Sequence, residues 1–302
     1  MKPISYAYIE TTSYCNLDCS FCNRREVVSN PVNMSVEDYK IVLKKLAGQD
    51  IKEVKLMGLG EPFMHPQFHE ICRLTREAFP RAFIISSTNC QFSLNGNVKK
   101  SLQYLDLLYL SIDGASKNYE KYRKPAKWSK LLKFLLALSE TDWHGCRIAI
   151  NYTVNPENVN DIPKVEKMLD RYGFHELRLN IVQNWSEDQS AESVISGFTQ
   201  DQLNFLHNSY QHLIKGKAAW DFSDCFWVKE GIYITATGDM KVCCMNTSTK
   251  SIGNVIRDLS VQELRRSKRY VEIANGCLSN MPTDHCKNCS YKELTPVLSK
   301  LL

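Results

Sequence analysis

The chain has 302 residues, 43% of them hydrophobic, and a net charge of +5 from 38 basic and 33 acidic residues. The basic excess is spread over short separate runs, so the sequence predicts neither a nucleic-acid partner nor a membrane surface as partner. The N-terminus has no apolar signal-peptide core, and no stretch approaches about 18 consecutive apolar residues, so no membrane span is predicted. We therefore expect a cytoplasmic protein, in which clustered cysteines are more often metal ligands or catalytic groups than disulfides.

Short apolar segments alternate with longer helical patterns over about the first 182 residues. Strands are predicted at 5–11, 53–57, 82–88, 107–113, 147–154 and 176–182, and helices at about 35–48, 66–79, 97–104, 128–140 and 158–172. Repeated strand–helix units predict a parallel sheet with right-handed crossovers. There are too few units for a closed eight-stranded barrel, so the expected fold class is α/β, a partial (β/α)6 barrel of the TIM type.

The pattern changes after this region. We predict a core domain over 1–195, a linker helix over 196–222 and a small C-terminal domain over 223–302. The last domain is expected to contain a hairpin over 231–244 that turns at Gly238, followed by one helix over 260–276.

Three cysteines, Cys15, Cys19 and Cys22, lie in the segment YCNLDCSFCNR directly after the first predicted strand. A structural zinc site would use four protein ligands, usually in two separated pairs. Three thiolates with an open position instead suit a four-iron cluster whose remaining iron is free to bind a small molecule. Loops that follow the strands of barrel folds carry their active sites. The spacing therefore predicts an iron–sulfur centre at this end of the sheet.

In this segment the chain resembles the radical S-adenosylmethionine superfamily, whose hallmark is C-x3-C-x-aromatic-C after the first strand. Phe21 occupies the aromatic position. The resemblance implies that the three cysteines hold a [4Fe–4S] cluster and that S-adenosylmethionine chelates the remaining iron. It also implies a 5′-deoxyadenosyl radical that removes a hydrogen atom from the substrate, and an external one-electron reductant such as flavodoxin or ferredoxin.

Segments after later strands match the same superfamily. MGLGEPFMHP follows the second strand, and the resemblance assigns Gly58, Gly60 and Glu61 to the methionine amino group of the cofactor. SSTNC follows the third strand, which places Thr88 near the ribose. Cys90 stands where relatives often have glycine, and this departure leaves the local backbone contact open.

The segment LSIDGASKNYEKYRKP, at the fourth strand, resembles the S-x-D-G segment of one subgroup. Ser111 is then the expected contact to polar groups of the cofactor. Asp113 is either a second ligand contact or a helix cap. Asn151, on the fifth strand, either faces the same cavity or has a structural role.

A second set of cysteines, Cys225, Cys243, Cys286 and Cys289, surrounds the predicted hairpin and closes with a C-x2-C pair. On spacing alone, zinc and iron–sulfur are both open. The pattern resembles the SPASM/twitch extension of radical S-adenosylmethionine enzymes, which implies an auxiliary [4Fe–4S] cluster. Because no further cysteine follows in this sequence, we expect the shorter twitch form, with two [4Fe–4S] clusters in all.

Cys244 directly follows a proposed ligand. If the pair lies on a strand, the two side chains point to opposite faces. Some related epimerases return a hydrogen atom to the substrate from a thiol, so Cys244 is our candidate donor, with a buried structural thiol as the alternative. Cys277 is a weaker candidate, whereas Cys72 and Cys146 are expected in the core.

Three functions remain open. The first is epimerisation or dehydrogenation of a small polar substrate such as a sugar or aminocyclitol. The second is radical modification of a ribosomally made peptide by epimerisation or cross-linking, which the short segment before Cys15 makes less favoured because many such enzymes carry an N-terminal recognition domain. The third is a non-enzymatic electron-transfer or zinc-binding protein, which the cofactor-binding segments disfavour.

Overall fold

A computed structural model of the chain describes residues 2–182, 197–210, 225–244, 250–257, 259–279, 281–283 and 286. Residues 196 and 211–222 of the predicted linker, and Cys289, lie outside these residues. In the described part of the linker, a helix over Gln200–Tyr210 is present as expected. No helix among the described residues is long and apolar enough to cross a membrane.

The described strands form one sheet in the order β6-β5-β4-β3-β2-β1-β7-β8-β9. From β1 to β6 each strand pairs in parallel with the next one along the chain. All six predicted strands are present, and the α/β fold class is confirmed. The strands are β1 (Tyr6–Ile9), β2 (Glu53–Leu56), β3 (Phe83–Thr88), β4 (Leu107–Ser111), β5 (Arg147–Val154), β6 (Glu176–Ile181), β7 (Gly231–Ile234), β8 (Asp239–Lys241) and β9 (Gly253–Asn254).

Helices cover the outer face of the sheet and bury its apolar side chains. The Ser35 hydroxyl accepts a hydrogen bond from the Asp38 amide at 3.0 Å, so the first long helix begins where the sequence predicts. The helices are α1 (Arg24–Val27), α2 (Val36–Leu46), α3 (Phe68–Ala78), α4 (Gly96–Leu102), α5 (Lys117–Tyr122), α6 (Trp128–Ser139), α7 (Ile162–Tyr172), α8 (Gln200–Tyr210), α9 (Phe226–Glu230), α10 (Val261–Arg266) and α11 (Lys268–Leu278).

Side chains alternate between the two faces of the strands, as strand geometry requires. Leu108 and Leu110 belong to the main core under the helices, whereas Leu107 and Tyr109 belong to a separate cluster on the other face. This second face, called the inner face below, also carries Arg178 of β6, whose guanidinium lies 5.5 Å from the Tyr109 ring. The inner face is therefore the concave side of a curved, partial barrel.

The C-terminal hairpin extends this sheet. β7 pairs in parallel with β1, with Ala7 opposite Ile232, and β8 returns antiparallel to β7. The prediction of a single helix over 260–276 is wrong, because the helix is interrupted at Ser267 and two helices, α10 and α11, are present instead. The backbone of Ser267 is extended, and its hydroxyl accepts from the Tyr270 amide, which starts a new helix instead of continuing the old one.

Candidate active site

The three-cysteine loop follows β1 and is fastened to the segment after β4. The Asp18 amide donates to the Lys124 carbonyl at 2.6 Å, and the Ser20 amide donates to the Tyr122 carbonyl at 2.9 Å. Within the loop, the Cys22 amide donates to the Cys19 carbonyl at 3.0 Å. These bonds hold the loop over the carboxyl end of the sheet, where the sequence predicts the centre.

The thiols of Cys15, Cys19 and Cys22 are close enough to influence one another's ionisation. Burial raises the pKa of Cys19 to about 12, and Arg123 opposes that rise. Burial also raises the pKa of Cys15 and Cys22. Because metal-bound cysteine is a thiolate, these thiols need a cation to ionise at neutral pH. Three neighbouring thiols, of which Cys15 and Cys19 are partly buried and Cys22 is exposed, match in number and type the donor set that the superfamily implies.

The glycine-rich loop after β2 packs directly against the cysteine loop. A Cβ atom on Gly60 would lie 2.1 Å from the Thr12 carbonyl oxygen and 2.8 Å from that of Tyr14. A Cβ on Gly58 would lie 2.6 Å from the Glu10 side chain. Gly60 is therefore required by close backbone approach between the two loops, and Gly58 by the Glu10 side chain that packs against it.

Glu61 is 3% exposed, and its carboxylate is hydrogen-bonded to other residues of the protein. It accepts hydrogen bonds from the Asn89 amide at 2.7 Å and from the Phe63 amide at 3.3 Å, and Thr88 hydrogen-bonds to it. Burial raises the pKa of Glu61 to about 7, against the opposing effect of these bonds. Glu61 and Thr88 thus join the loops after β2 and β3. Their contacts with the cofactor stay a prediction.

A second buried carboxylate, Glu10, was not found from the sequence. It is 2% exposed and accepts from the Leu59 amide at 3.0 Å and from the Tyr233 hydroxyl at 3.2 Å. Burial raises its pKa, although hydrogen bonds to Tyr233 and to backbone amides, including that of Gly60, oppose the rise. Glu10 therefore links the glycine-rich loop to the C-terminal hairpin.

The segment after β3 reaches the cysteine loop through Asn89. Its side-chain amide lies 2.7 Å from the Asn16 side-chain oxygen and 3.8 Å from the Cys15 sulfur. The next residue, Cys90, is fully buried and has a φ of 59°. This is the left-handed conformation that glycine adopts without strain, so Cys90 occupies a backbone position of the kind that favours glycine.

Asp113 and Arg123 form a buried ion pair beside the thiols. Asp113 accepts from Arg123 at 2.6 Å and from the Thr153 amide at 2.6 Å. Asp113 does not cap the next helix, because Ser116 occupies the capping position before α5. The Arg123 guanidinium lies 5.6 Å from the Phe21 ring. Arg123 was missed because its burial has no signature in the local sequence.

Ser111 and Asn151 are neighbours on β4 and β5. The Asn151 side-chain oxygen accepts from the Asn180 amide group at 2.7 Å. A cavity of about 450 Å³ opens at the same end of the sheet, lined by Phe21, Tyr122, Asn155 and Val182 among others. The cavity adjoins the cysteine loop and is large enough for part of a nucleoside-sized ligand.

The C-terminal cysteines have separate neighbours. Cys225 hydrogen-bonds with Cys277 of α11. This bond is the main cause of a raised pKa of Cys225, and burial is the second cause. β8 ends at Lys241, so the condition under which Cys243 and Cys244 would point to opposite faces of a strand is not met. The two thiols influence different groups electrostatically. Cys243 helps to raise the pKa of Lys241 against the larger effect of burial, whereas Cys244 helps to raise the pKa values of Tyr8 and Tyr233. The contact between Cys225 and Cys277 was not predicted.

Comparison with protein families decides the affiliation. Residues 9–169 match the radical SAM superfamily model. The chain belongs to the radical SAM superfamily. Residues 225–290 match the SPASM model, described as an iron–sulfur cluster-binding domain. Together these matches imply a [4Fe–4S] cluster and S-adenosylmethionine as cofactors, and they confirm the sequence-based affiliation.

Individual relatives are distant. The chain is 26% identical to the tungsten-containing aldehyde ferredoxin oxidoreductase cofactor-modifying protein of Pyrococcus furiosus, over 96% of this radical SAM chain and 88% of that protein. Streptococcus suis SuiB bound to the precursor peptide SuiA aligns with a TM-score of 0.70 and 14% identity, over 97% of this chain and 71% of that one. BtrN in complex with AdoMet and 2-DOIA aligns with a TM-score of 0.55 and 14% identity, over 96% and 94%. These structural likenesses show the fold.

Proposed function

We propose that this radical SAM protein removes a hydrogen atom from a small polar substrate, which it epimerises or dehydrogenates. Cys15, Cys19 and Cys22 would hold the cluster, and the loop of Gly58, Gly60 and Glu61 would orient S-adenosylmethionine. When bound, the cluster and S-adenosylmethionine supply a 5′-deoxyadenosyl radical. The observation that carries the proposal is the convergence of these thiols with the glycine-rich loop and the Asp113–Arg123 pair at one end of the sheet.

The test is anaerobic reconstitution with iron and sulfide, followed by reduction in the presence of S-adenosylmethionine. We expect 5′-deoxyadenosine from the wild type and none from a variant with all three N-terminal cysteines changed to alanine. That variant should still retain the auxiliary cluster, which its visible absorption reports. A purified protein that held only zinc and cleaved no S-adenosylmethionine would overturn the proposal.

We further propose that Cys225, Cys243, Cys286 and Cys289 hold one auxiliary [4Fe–4S] cluster. The SPASM match over 225–290 supports this assignment. Because Cys277 contacts Cys225, Cys277→Ala is the matched control for Cys289→Ala. Loss of the cluster's iron from Cys289→Ala, with its retention in Cys277→Ala, would support the assignment. The reverse result would make Cys277 the ligand.

Cys244 is proposed as the hydrogen-atom donor of an epimerisation, because its thiol lies near enough to the inner-face residue Tyr8, and to Tyr233, to raise the pKa of both phenols. Cys244→Ala should retain both clusters and form 5′-deoxyadenosine but give no epimerised product. In deuterated buffer the wild-type product should carry solvent deuterium through the exchangeable thiol. An unlabelled, oxidised product would instead assign dehydrogenation.

Peptide modification is the second candidate. SuiB, which shares this fold, was observed with a precursor peptide. Charged and hydroxyl-bearing residues on the inner face, such as Lys55, Tyr109 and Arg178, favour a small polar substrate instead. Incubation with precursor peptides and with small polyols, with 5′-deoxyadenosine measured for each, separates the two candidates.

A further inference from the structure

A group of polar side chains lies on the inner face in the middle of the barrel strands. Tyr8 lies on β1, Lys55 on β2, Tyr109 on β4 and Arg178 on β6. The sheet ladder pairs Arg178 with Asn151, and Asn151 with Ser111. Arg178 is therefore in register with two candidate cofactor contacts, Ser111 and Asn151.

Arg178 has unused hydrogen-bonding capacity. Its Nη1 donates to the Tyr109 hydroxyl at 3.0 Å, and its guanidinium lies 5.5 Å from the centre of that ring. Its Nε is buried and has no hydrogen-bond partner among the described residues. Within the same residues, no carboxylate lies at ion-pair distance from Arg178. A buried N–H without a partner costs free energy, and a guanidinium without a counter-charge costs more.

Arg178 is partly buried, and two arginines that are more fully buried, Arg123 and Arg265, show how this protein otherwise satisfies such groups. Arg123 pairs with Asp113 at 2.6 Å. Arg265 also has a partnerless Nε in the part of the chain that the structure describes, but it donates to the carbonyls of Lys2 and Lys229 at 2.9 and 2.7 Å. Over that same part, Arg178 donates to the neutral phenol of Tyr109 alone. The difference points to a partner that is supplied from outside the described chain.

The charged and phenolic side chains next along the inner face, Lys55 and Tyr8, do not supply a negative charge to Arg178. The Lys55 ammonium lies 5.6 Å from the centre of the Tyr8 ring and 3.2 Å from a Glu53 oxygen. Burial raises the pKa of Tyr8 far above neutrality, and the guanidinium of Arg178 only partly offsets this. Tyr8 is therefore a neutral phenol that supplies no counter-charge to Arg178.

We propose that Arg178, with Tyr109 beside it, binds an oxyanion of the substrate inside the barrel. The planar guanidinium presents donors in the geometry that suits a carboxylate or a phosphate. This inference rests on the proposed function, since it requires a substrate held in the barrel. It narrows that substrate from small and polar to small and anionic.

The test uses the reconstituted full-length protein with inorganic phosphate and acetate as probes, each compared with chloride at equal ionic strength. We expect either oxyanion to raise the melting temperature of the wild type in a saturable way, and the stronger probe to assign phosphate or carboxylate. Arg178→Met should weaken that affinity by at least about tenfold, as expected for loss of a charged hydrogen-bond donor. Arg178→Lys, which keeps the charge but loses Nε, should weaken it partly.

Arg147→Met is the matched control, because Arg147 also lies on the inner face but pairs with Glu176 at 2.9 Å. It should leave the oxyanion effect unchanged. Equal stabilisation of wild type and Arg178→Met by both probes would overturn the proposal. So would a loss of S-adenosylmethionine affinity in Arg178→Met, because Arg178 would then serve the cofactor. Failure of the wild type to cleave S-adenosylmethionine would overturn the proposed function separately.

Discussion

The carboxylate of Glu10 accepts a hydrogen bond from the hydroxyl of Tyr233, which lies 223 positions later in the chain, at 3.2 Å. The other carboxylate oxygen accepts from the Leu59 amide at 3.0 Å. One buried side chain thus connects the first strand, the glycine-rich loop and the C-terminal hairpin. Glu10 therefore links the glycine-rich loop directly to the region that matches the SPASM model.

Glu10→Gln should destabilise the protein by about 1–3 kcal/mol, because an amide group would replace one acceptor oxygen in a buried site of donors. Tyr233→Phe should cost only about 0.5–1.5 kcal/mol, the usual contribution of one hydrogen bond. Chemical unfolding of both single variants and the double variant measures the coupling. Strictly additive effects would show that the bond contributes nothing.

Asp113→Asn should destabilise the protein by about 3–5 kcal/mol, since it leaves the Arg123 charge buried without its counter-ion. Asp113 is fully buried and Arg123 is 7% exposed. The control is Glu176→Gln, which breaks the largely exposed pair with Arg147 and should cost less than about 1 kcal/mol. Urea unfolding of the two variants at one pH makes the comparison, and equal losses would contradict the buried-pair assignment.

The raised pKa of Glu61 leads us to expect that the stability of the protein depends on pH. Burial raises its pKa in the folded protein to about 7, whereas the unfolded chain keeps the ordinary value of 4.5. The folded state therefore holds this proton more tightly, and the free energy of unfolding should fall as pH rises from about 4.5 to about 7, by up to about 3 kcal/mol. Urea unfolding between these pH values measures the slope.

Glu61→Gln provides the control for this slope, because glutamine does not titrate. The slope should be smaller in the variant than in the wild type. A cation bound against Glu61 favours its ionised form, so wild-type affinity for S-adenosylmethionine should increase as pH rises through about 7. An equal increase in Glu61→Gln would remove Glu61 from contact with the cofactor's ammonium.

Gly60→Ala should abolish S-adenosylmethionine binding or the fold of the loop, because the added Cβ would meet backbone atoms that cannot move aside. Gly96→Ala is the matched control. A Cβ added to Gly96, at the start of α4, would have no atom of the described residues within 4 Å. This control should be neutral or more stable by about 0.4–1 kcal/mol. Calorimetric titration of both variants with S-adenosylmethionine measures the loss of binding, and thermal unfolding measures the loss of stability.

The sequence predicted the core strands and helices well because their hydrophobic periodicity is local. β4 and β5, for example, were placed within two residues of their observed ends. The cysteine loop and the glycine-rich loop were found because their residue spacing is itself the motif. Gly60 then lies against the cysteine loop, as a shared binding site requires.

Long-range relationships were not predicted. Nothing in the segment GIYI indicates that it pairs with β1, and nothing near Cys225 indicates contact with Cys277. Glu10 and Arg123 are ordinary charged residues in the sequence, and their importance depends on burial, which only the assembled fold creates. The break at Ser267 did have a local signal, since serine is a favoured N-cap.

The parallel pairing of β7 with β1 has a consequence for how the chain acquires its structure. The second neighbour of the first strand is made by residues 231–234, so that edge of β1 stays unpaired until most of the chain has emerged from the ribosome. An unpaired strand edge readily recruits other chains. We therefore expect the nascent protein to be prone to aggregation until residues 231–234 pair with β1, and we expect this pairing of distant segments to slow folding.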